Sequence, residues 1–408
     1  MDEKIRKKEN AQAKSFMGAI LATDDAHPTY MDADTRSIWG FAEYMLEKGT
    51  VKDAAGAEHS ALLYAMWLYS TAETLVNQDN VPAIGNKLLQ VATLVALEEG
   101  YYSTTATMSY GSKLLFDAKK AGIKLGRNQI AAFLAQEGTW ASNQSKSDLT
   151  NGNLIAVGIY CARLKVLCQV LPQKTPKREG TAGMLEKIEE KTDGKNPEEL
   201  LTFYLNEFAL PYLESAGSAN GKEEIQQFLN YLRSSDFYRA PCSTRFHLCE
   251  EGGLAQHTIN VLMQMLWLTL PATKQQLGAC VLAAIGHDLC KVGVYARQEK
   301  NRKIYLKEGQ EAPAGAYVKS DSDGNFYWGK VLAYEFHDTM PFGHGRKSAY
   351  MLQSFFPEIG EDVYAAVDGH MGDTETVPAL MELYSGNPMA LHLHIADMLA
   401  THITEAEH

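Results

Sequence analysis

The stretch VLAAIGHDLCKVGVY, residues 281–295, decides how this chain is read. An apolar run at helical spacing ends on His287 and Asp288, two adjacent polar side chains where burial is expected. A buried imidazole and a buried carboxylate need partners, and one metal ion would serve both. Neighbouring helical residues point about 100° apart, so such a pair can grip one ion from two sides or bridge two. Lys291, four residues after His287, is expected on the same helical face, where its ammonium can meet a substrate phosphate.

Working outward, four further ligand candidates appear. In GGLAQHTINVLMQML (252–266), His257 opens an apolar helix just after a Gly-Gly turn. His344 in PFGHGRKSAYML (341–352) and His370 in AAVDGHMGD (365–373) are flanked by glycines that would let a ligand approach the backbone. Asp397 in LHLHIADMLATH (391–402) is a carboxylate inside an otherwise apolar helix. A lone histidine in a helix is more often a satisfied core or surface residue, but the ordered set His257, His287-Asp288, His344, His370, Asp397 reverses those odds. Nitrogen and oxygen donors of this kind suit Mn²⁺, Fe²⁺, Ni²⁺ or Zn²⁺, with Mg²⁺ a poorer match. His247, His392 and His394 lie nearby, and His394 reads as structural or as support for a ligand. Lys347 and Arg297 are candidates for binding substrate phosphate, against the plainer reading of a solvated charge run.

Composition bounds the rest. The 408 residues allow two domains, and 45% hydrophobic with 22% charged residues is an ordinary globular mixture. Residues 1–190 carry 21 basic and 22 acidic side chains, net −1; residues 191–408 carry 17 and 28, net −11. That balance counts against sequence-independent DNA binding, yet it suits a small anionic substrate held by metal ions. The polar N-terminus MDEKIRKKENAQAK has no apolar core of a signal peptide, and no apolar run is long enough to span a membrane. The six cysteines form no C-x-x-C pair and read as reduced thiols, so a cytoplasmic location is expected.

The expected fold class is all-α. Residues 1–172 read mostly as helix, 173–199 as a charged, proline-containing linker, and 200–408 as a second helical domain. The exception is a β-hairpin expected at about 301–336, where Tyr, Val, Phe and Trp surround a D-S-D-G-N turn. Such an insertion is either a lid or a surface excursion.

The order H, HD, H, H, D over roughly 235–402 resembles the HD-domain superfamily of metal-dependent phosphohydrolases, and HDLCK is similar to its HD-x-x-K element. FYRAPCSTRFHLCEEGGLAQHT (237–258) resembles the entry to the HD domain in 3′-to-5′ exoribonucleases and HD-type conjugative relaxases of that superfamily. The resemblance implies that His257, His287, Asp288 and Asp397 hold one metal. It further implies that His344 and His370 complete a second site with Asp288 as bridge, and that Asp288 and Lys291 serve catalysis. Two divalent ions would activate water against a phosphoester without a protein nucleophile.

The implied activity is phosphoester hydrolysis in a nucleotide or similar small molecule. The alternatives are a 3′-to-5′ nuclease on single-stranded RNA or DNA, and a nucleotide-binding sensor without turnover. No oligonucleotide-binding barrel is legible, which weighs against the nuclease.

A weaker copy of the pattern precedes it. MSYGSKLLF (108–116), AAFLAQEG (131–138) and NGNLIAVGIYCARL (151–164) align with residues near 344, 370 and 397 at one offset of 234. Tyr110, Gln136 and Arg163 then stand against His344, His370 and Asp397; further upstream, His59 stands against His257, and Glu99 and Gly100 against His287 and Asp288. Two HD-like domains in tandem are therefore expected, the first without ligands. Its expected role is packing, with homo-oligomer formation or ligand binding as other uses.

Overall fold

The computed structural model describes residues 1–21, 33–76, 85–102, 110–134, 136, 154–168, 188, 190–244, 247–269, 272–306, 309–313, 315–340, 343–372 and 377–405. Most of the linker expected at 173–199 lies outside them.

Among the described residues the protein is mostly helical, with two small antiparallel sheets. The helices of the first half are α1 (Glu3–Leu21), α2 (Ala33–Lys48), α3 (Ala61–Val76), α4 (Gly85–Leu97), α5 (Tyr110–Lys120), α6 (Arg127–Leu134) and α7 (Leu154–Cys168). Two three-residue strands, β1 (Thr50–Lys52) and β2 (Glu58–Ser60), pair before α3. In the second half come α8 (Pro197–Tyr204), α9 (Leu210–Ala216), α10 (Gly221–Ser234), α11 (Gly253–Thr269) and α12 (Lys274–Gly286). After the second sheet follow α13 (His344–Phe355), α14 (Glu361–Asp368), α15 (Val377–Gly386) and α16 (Pro388–Leu399).

Local sequence explains several boundaries. Asn196 and Thr273 start α8 and α12 with reciprocal capping boxes to Glu199 and Gln276. Asn387 accepts from the Met389 and Ala390 amides, and Pro388 supplies a pre-set first turn, so α16 starts at a defined point. Wide π turns extend α4 over Glu98–Tyr102 and α16 over Ala400–Thr404. No apolar periodicity announces them.

The second sheet departs from the expected hairpin. Its strand order is β3 (Tyr295–Tyr305), β5 (Gly324–Phe336), β4 (Val318–Asp321). Pairing begins at Tyr295↔Phe336, six residues before Asn301, and runs to Tyr305↔Phe326. The turn at Asp321–Gly324 joins β4 to β5, and β3, which precedes β4 in the chain, pairs along the other edge of β5. The charged residues Arg297, Glu299 and Lys300 hid the alternation in the first part of β3.

Helices α5, α6 and α7 begin at residues 110, 127 and 154, and α13, α14 and α16 at 344, 361 and 388; each pair differs by 234. The packing repeats as well. Helix α3 packs on α4 and α7, and α6 on α7; α11 packs on α12 and α16, and α14 on α16. One apolar core runs through both halves, joined where α7 meets α15 and α16. Among the described residues, no helix is long and apolar enough to cross a membrane.

Candidate metal centre

Five segments converge on one buried point. Helix α11 carries His257 in its second turn; α12 ends at Gly286, so His287 caps it and Asp288 turns the chain into a short 3-10 helix, Leu289–Lys291. His344 is the first residue of α13, His370 follows α14, and Asp397 lies in α16.

The Asp288 carboxylate divides the cluster. Its Oδ2 is 3.5 Å from His257 Nε2 and 3.4 Å from His287 Nε2. Its Oδ1 is 2.6 Å from His344 Nε2 and 4.0 Å from His370 Nε2. Asp397 Oδ1 is 3.3 Å from His257 Nε2. All six candidate ligands are therefore brought together. His257, His287 and Asp288 place donor atoms within 4.8 Å of one another, as do Asp288, His344 and His370. Such buried groups can hold a metal ion.

The hydrogen bonds of the outer ring nitrogens make the case for a cation specific. His287 Nδ1 donates to the Ala284 carbonyl at 2.7 Å, and His370 Nδ1 to Val367 at 2.6 Å. His257 Nδ1 donates to Glu405 at 2.9 Å. With each Nδ1 proton committed, each Nε2 presents a lone pair inward. Two of these, on His257 and His287, face one another at 3.3 Å, and His370 Nε2 is buried without a hydrogen-bond partner. Ring nitrogens so opposed in a dry interior can be reconciled by a cation between them, a proton or a metal ion.

In the metal-free protein, protons fill that role. His257 is pushed well above the usual histidine range: burial opposes this, but Cys242, Asp397 and Glu405 outweigh it. His344 rises to about 10, again against burial, through Asp288 and Cys290. His370 falls to about 3 because it is buried beside His287 and His344. Despite burial, Lys291 and the neighbouring imidazoles hold Asp288 well below the usual carboxylate range.

The expected setting of Lys291 is corrected. Lys291 does not share a helical face with His287, because α12 has ended; the 3-10 turn instead brings its ammonium to 2.6 Å from Asp288 Oδ2. Lys347 is engaged by Asp338 at 2.6 Å, and Arg297 by Glu251 at 2.6 Å and the Tyr334 hydroxyl. Each thus has an acidic partner of its own in this structure. The glycines flanking His344 answer demands of the backbone. Gly343 enters α13 with φ 99°, and a Cβ on Gly345 would fall 2.1 Å from the Asp368 carbonyl oxygen.

Sequence reading missed Glu405, Cys242 and the connection of His394. Glu405 carries no motif; the π turn over Ala400–Thr404 returns it to His257, where Asn260 also donates to it at 2.8 Å. His394 donates from Nδ1 to the His370 carbonyl at 2.6 Å. Cys242 was legible only as a reduced thiol, and its contact with Lys291, 49 positions along the chain, is invisible to periodicity. Its thiol is lowered to about 6: burial raises it, and the His257 and Lys291 charges more than offset that.

Comparison with protein families, curated proteins and solved structures returned no match. The functional reading therefore rests on the residues themselves.

Proposed function

We propose that the protein hydrolyses a phosphoester bond in a nucleotide or related small phosphorylated molecule, using an HD-type centre of two divalent ions. The observation that carries this reading is the pair of donor groups sharing Asp288, one toward each carboxylate oxygen. Divalent ions bound there would supply Lewis acidity to a phosphoryl oxygen and make water nucleophilic near neutral pH. Asp288 would bridge, His257, His287 and Asp397 would hold one side, and His344 and His370 the other. Lys291, held by Asp288, would place positive charge beside the transferring phosphoryl group. Glu405 would hold His257 in the ligating tautomer.

Under the same reading, the first half is a second HD-like domain that has exchanged its metal for an internal ion pair. The positions aligned with His287, His370 and Asp397 also converge: Arg163 contacts Glu99 at 2.5 Å and the Gln136 carbonyl at 2.6 Å. A guanidinium thus stands where the second half gathers ligands. Gly100, aligned with Asp288, has no room for a side chain, since a Cβ would lie 2.4 Å from that of Ala61. His59, aligned with His257, lies on β2 and contacts Asp53 and Glu9 instead.

A second reading, single-stranded nucleic acid as substrate, is favoured by one observation. The outer face of β5 exposes Trp328, Leu332 and Phe336, with Lys330 between them and Lys303 across from Trp328. Residues 295–336 carry seven basic and six acidic side chains, within an otherwise acidic half. Aromatic groups interleaved with cations suit stacked bases.

The test is product analysis after incubating Mn²⁺-loaded protein with nucleoside mono-, di- and triphosphates, cyclic dinucleotides and 5′-labelled single-stranded RNA, with Asp288→Ala as blank. Phosphate or nucleoside released from small substrates alone supports the leading reading. A ladder of shortened RNA promotes the second, and no turnover above the blank removes both in favour of a sensor.

A further inference from the structure

Beside the six ligands lies a third donor group made of Cys242, His247 and His257, whose ligand atoms fall within 4.8 Å of one another. Cys242 is fully buried. Its Sγ is 3.2 Å from His247 Nε2 and 3.3 Å from Lys291 Nζ, the same ammonium that contacts Asp288. The backbone around it is clamped. Its amide donates to the Leu248 carbonyl at 2.9 Å, and the Tyr295 hydroxyl donates to its carbonyl at 3.0 Å. Leu248, in the same loop, is the one non-glycine among the described residues with positive φ, at 43°. The chain accepts that strain in the loop that turns Cys242 and His247 toward His257.

A structural cysteine in an apolar core would face carbon. This one faces two imidazoles and an ammonium, at the edge of a site where opposed His257 and His287 lone pairs already call for a cation. A sulfur whose Sγ lies within 4.8 Å of a His257 nitrogen has the chemistry and the reach of a candidate ligand.

We propose that Cys242 is a further ligand of the cation held by His257, His287, Asp288 and Asp397, making the centre a mixed nitrogen, oxygen and sulfur site. The inference rests on the metal-centre reading above and narrows it: a sulfur donor selects thiophilic ions such as Zn²⁺ or Fe²⁺ over Mn²⁺ and Mg²⁺. His247, turned toward the same sulfur, is a positioning residue for it.

The experiment titrates chelator-stripped full-length protein with Co²⁺ and records its absorption spectrum, with no substrate present. Wild type is expected to show ligand-field bands together with a near-ultraviolet sulfur-to-cobalt charge-transfer band. Cys242→Ser and Cys242→Ala are expected to keep the ligand-field bands and lose the charge-transfer band, while Cys249→Ser and Cys290→Ser keep both. Competition titrations are expected to show Zn²⁺ affinity reduced on the order of 10–100-fold in the Cys242 variants, with Mn²⁺ affinity little changed. Ligand-field bands in wild type without charge transfer would overturn the sulfur ligand and leave the metal centre standing. A charge-transfer band lost on changing Cys249 or Cys290 instead would also overturn it. Absence of any Co²⁺ band in wild type would remove the metal centre itself. The wild-type spectrum decides the matter even if a Cys242 variant does not fold.

Discussion

The Tyr160 hydroxyl donates to Nε2 of His394 across 3.2 Å, between residues 234 positions apart, the offset that also separates the matched helices. Two residues at matched positions along the chain thus touch one another. The contact also leads inward. His394 Nδ1 donates to the His370 carbonyl, and His370 directs Nε2 at Asp288. The first half thus reaches the metal-centre candidate through three consecutive side chains.

Tyr160→Phe removes the hydroxyl that donates to the buried His394 ring. Stability should fall by about 1–3 kcal/mol, and the metal affinity of the His344 and His370 side should fall with it. Urea unfolding with and without Zn²⁺ checks both, and an unchanged midpoint would refute the coupling.

Glu405→Ala frees the His257 ring to flip or change tautomer, while its Nε2 must still face Asp397 and Asp288. Metal affinity should drop roughly 10–100-fold. Glu405→Gln, which keeps an acceptor, should drop less. Competition with a chromogenic chelator measures the order, and equal affinity in all three proteins would contradict it.

Metal-free protein should be most stable near pH 6.5. His370 and His392 are pushed down to about 3 and His402 to about 4, chiefly by burial, so the unfolded chain binds more protons than the folded one below 6.5. Stability is lost as pH falls through that window, by at most about 1.4 kcal/mol per pH unit for each group. His344, raised to about 10, acts in the other direction: its contribution is complete below 6.5 and lost as pH rises toward 10. Unfolding midpoints from pH 4 to 9 in chelator should trace a dome, and a monotonic curve would show that these groups do not control it.

Gly345→Ala forces a Cβ against the Asp368 and Val367 carbonyl oxygens, at 2.1 and 2.8 Å. Backbone cannot swing aside as a side chain can, so α13 must lift from α14, costing about 1–3 kcal/mol. His344 moves with it. Chemical denaturation and Zn²⁺ titration should both register the change; a neutral result would mean that the helices slide freely.

How much was legible in the sequence follows from the range of each interaction. The mostly helical fold was set out by apolar spacing, and the six candidate ligands by polar residues at the ends or centres of apolar runs, because both are features within one or two helical turns. Their convergence was expected through order along the chain, and the matched helices through one constant offset. Tertiary structure alone decided the rest. Glu405 returns through a π turn that leaves no apolar signature, and Cys242 meets Lys291 only because α12 stops at Gly286 and a clamped loop crosses its end. The same closeness of approach makes Gly345 necessary between α13 and α14, and carboxylates pair with Lys347 and Arg297. A side chain's type is written in the sequence, but its partner is whichever group the packed backbone brings within about 3 Å.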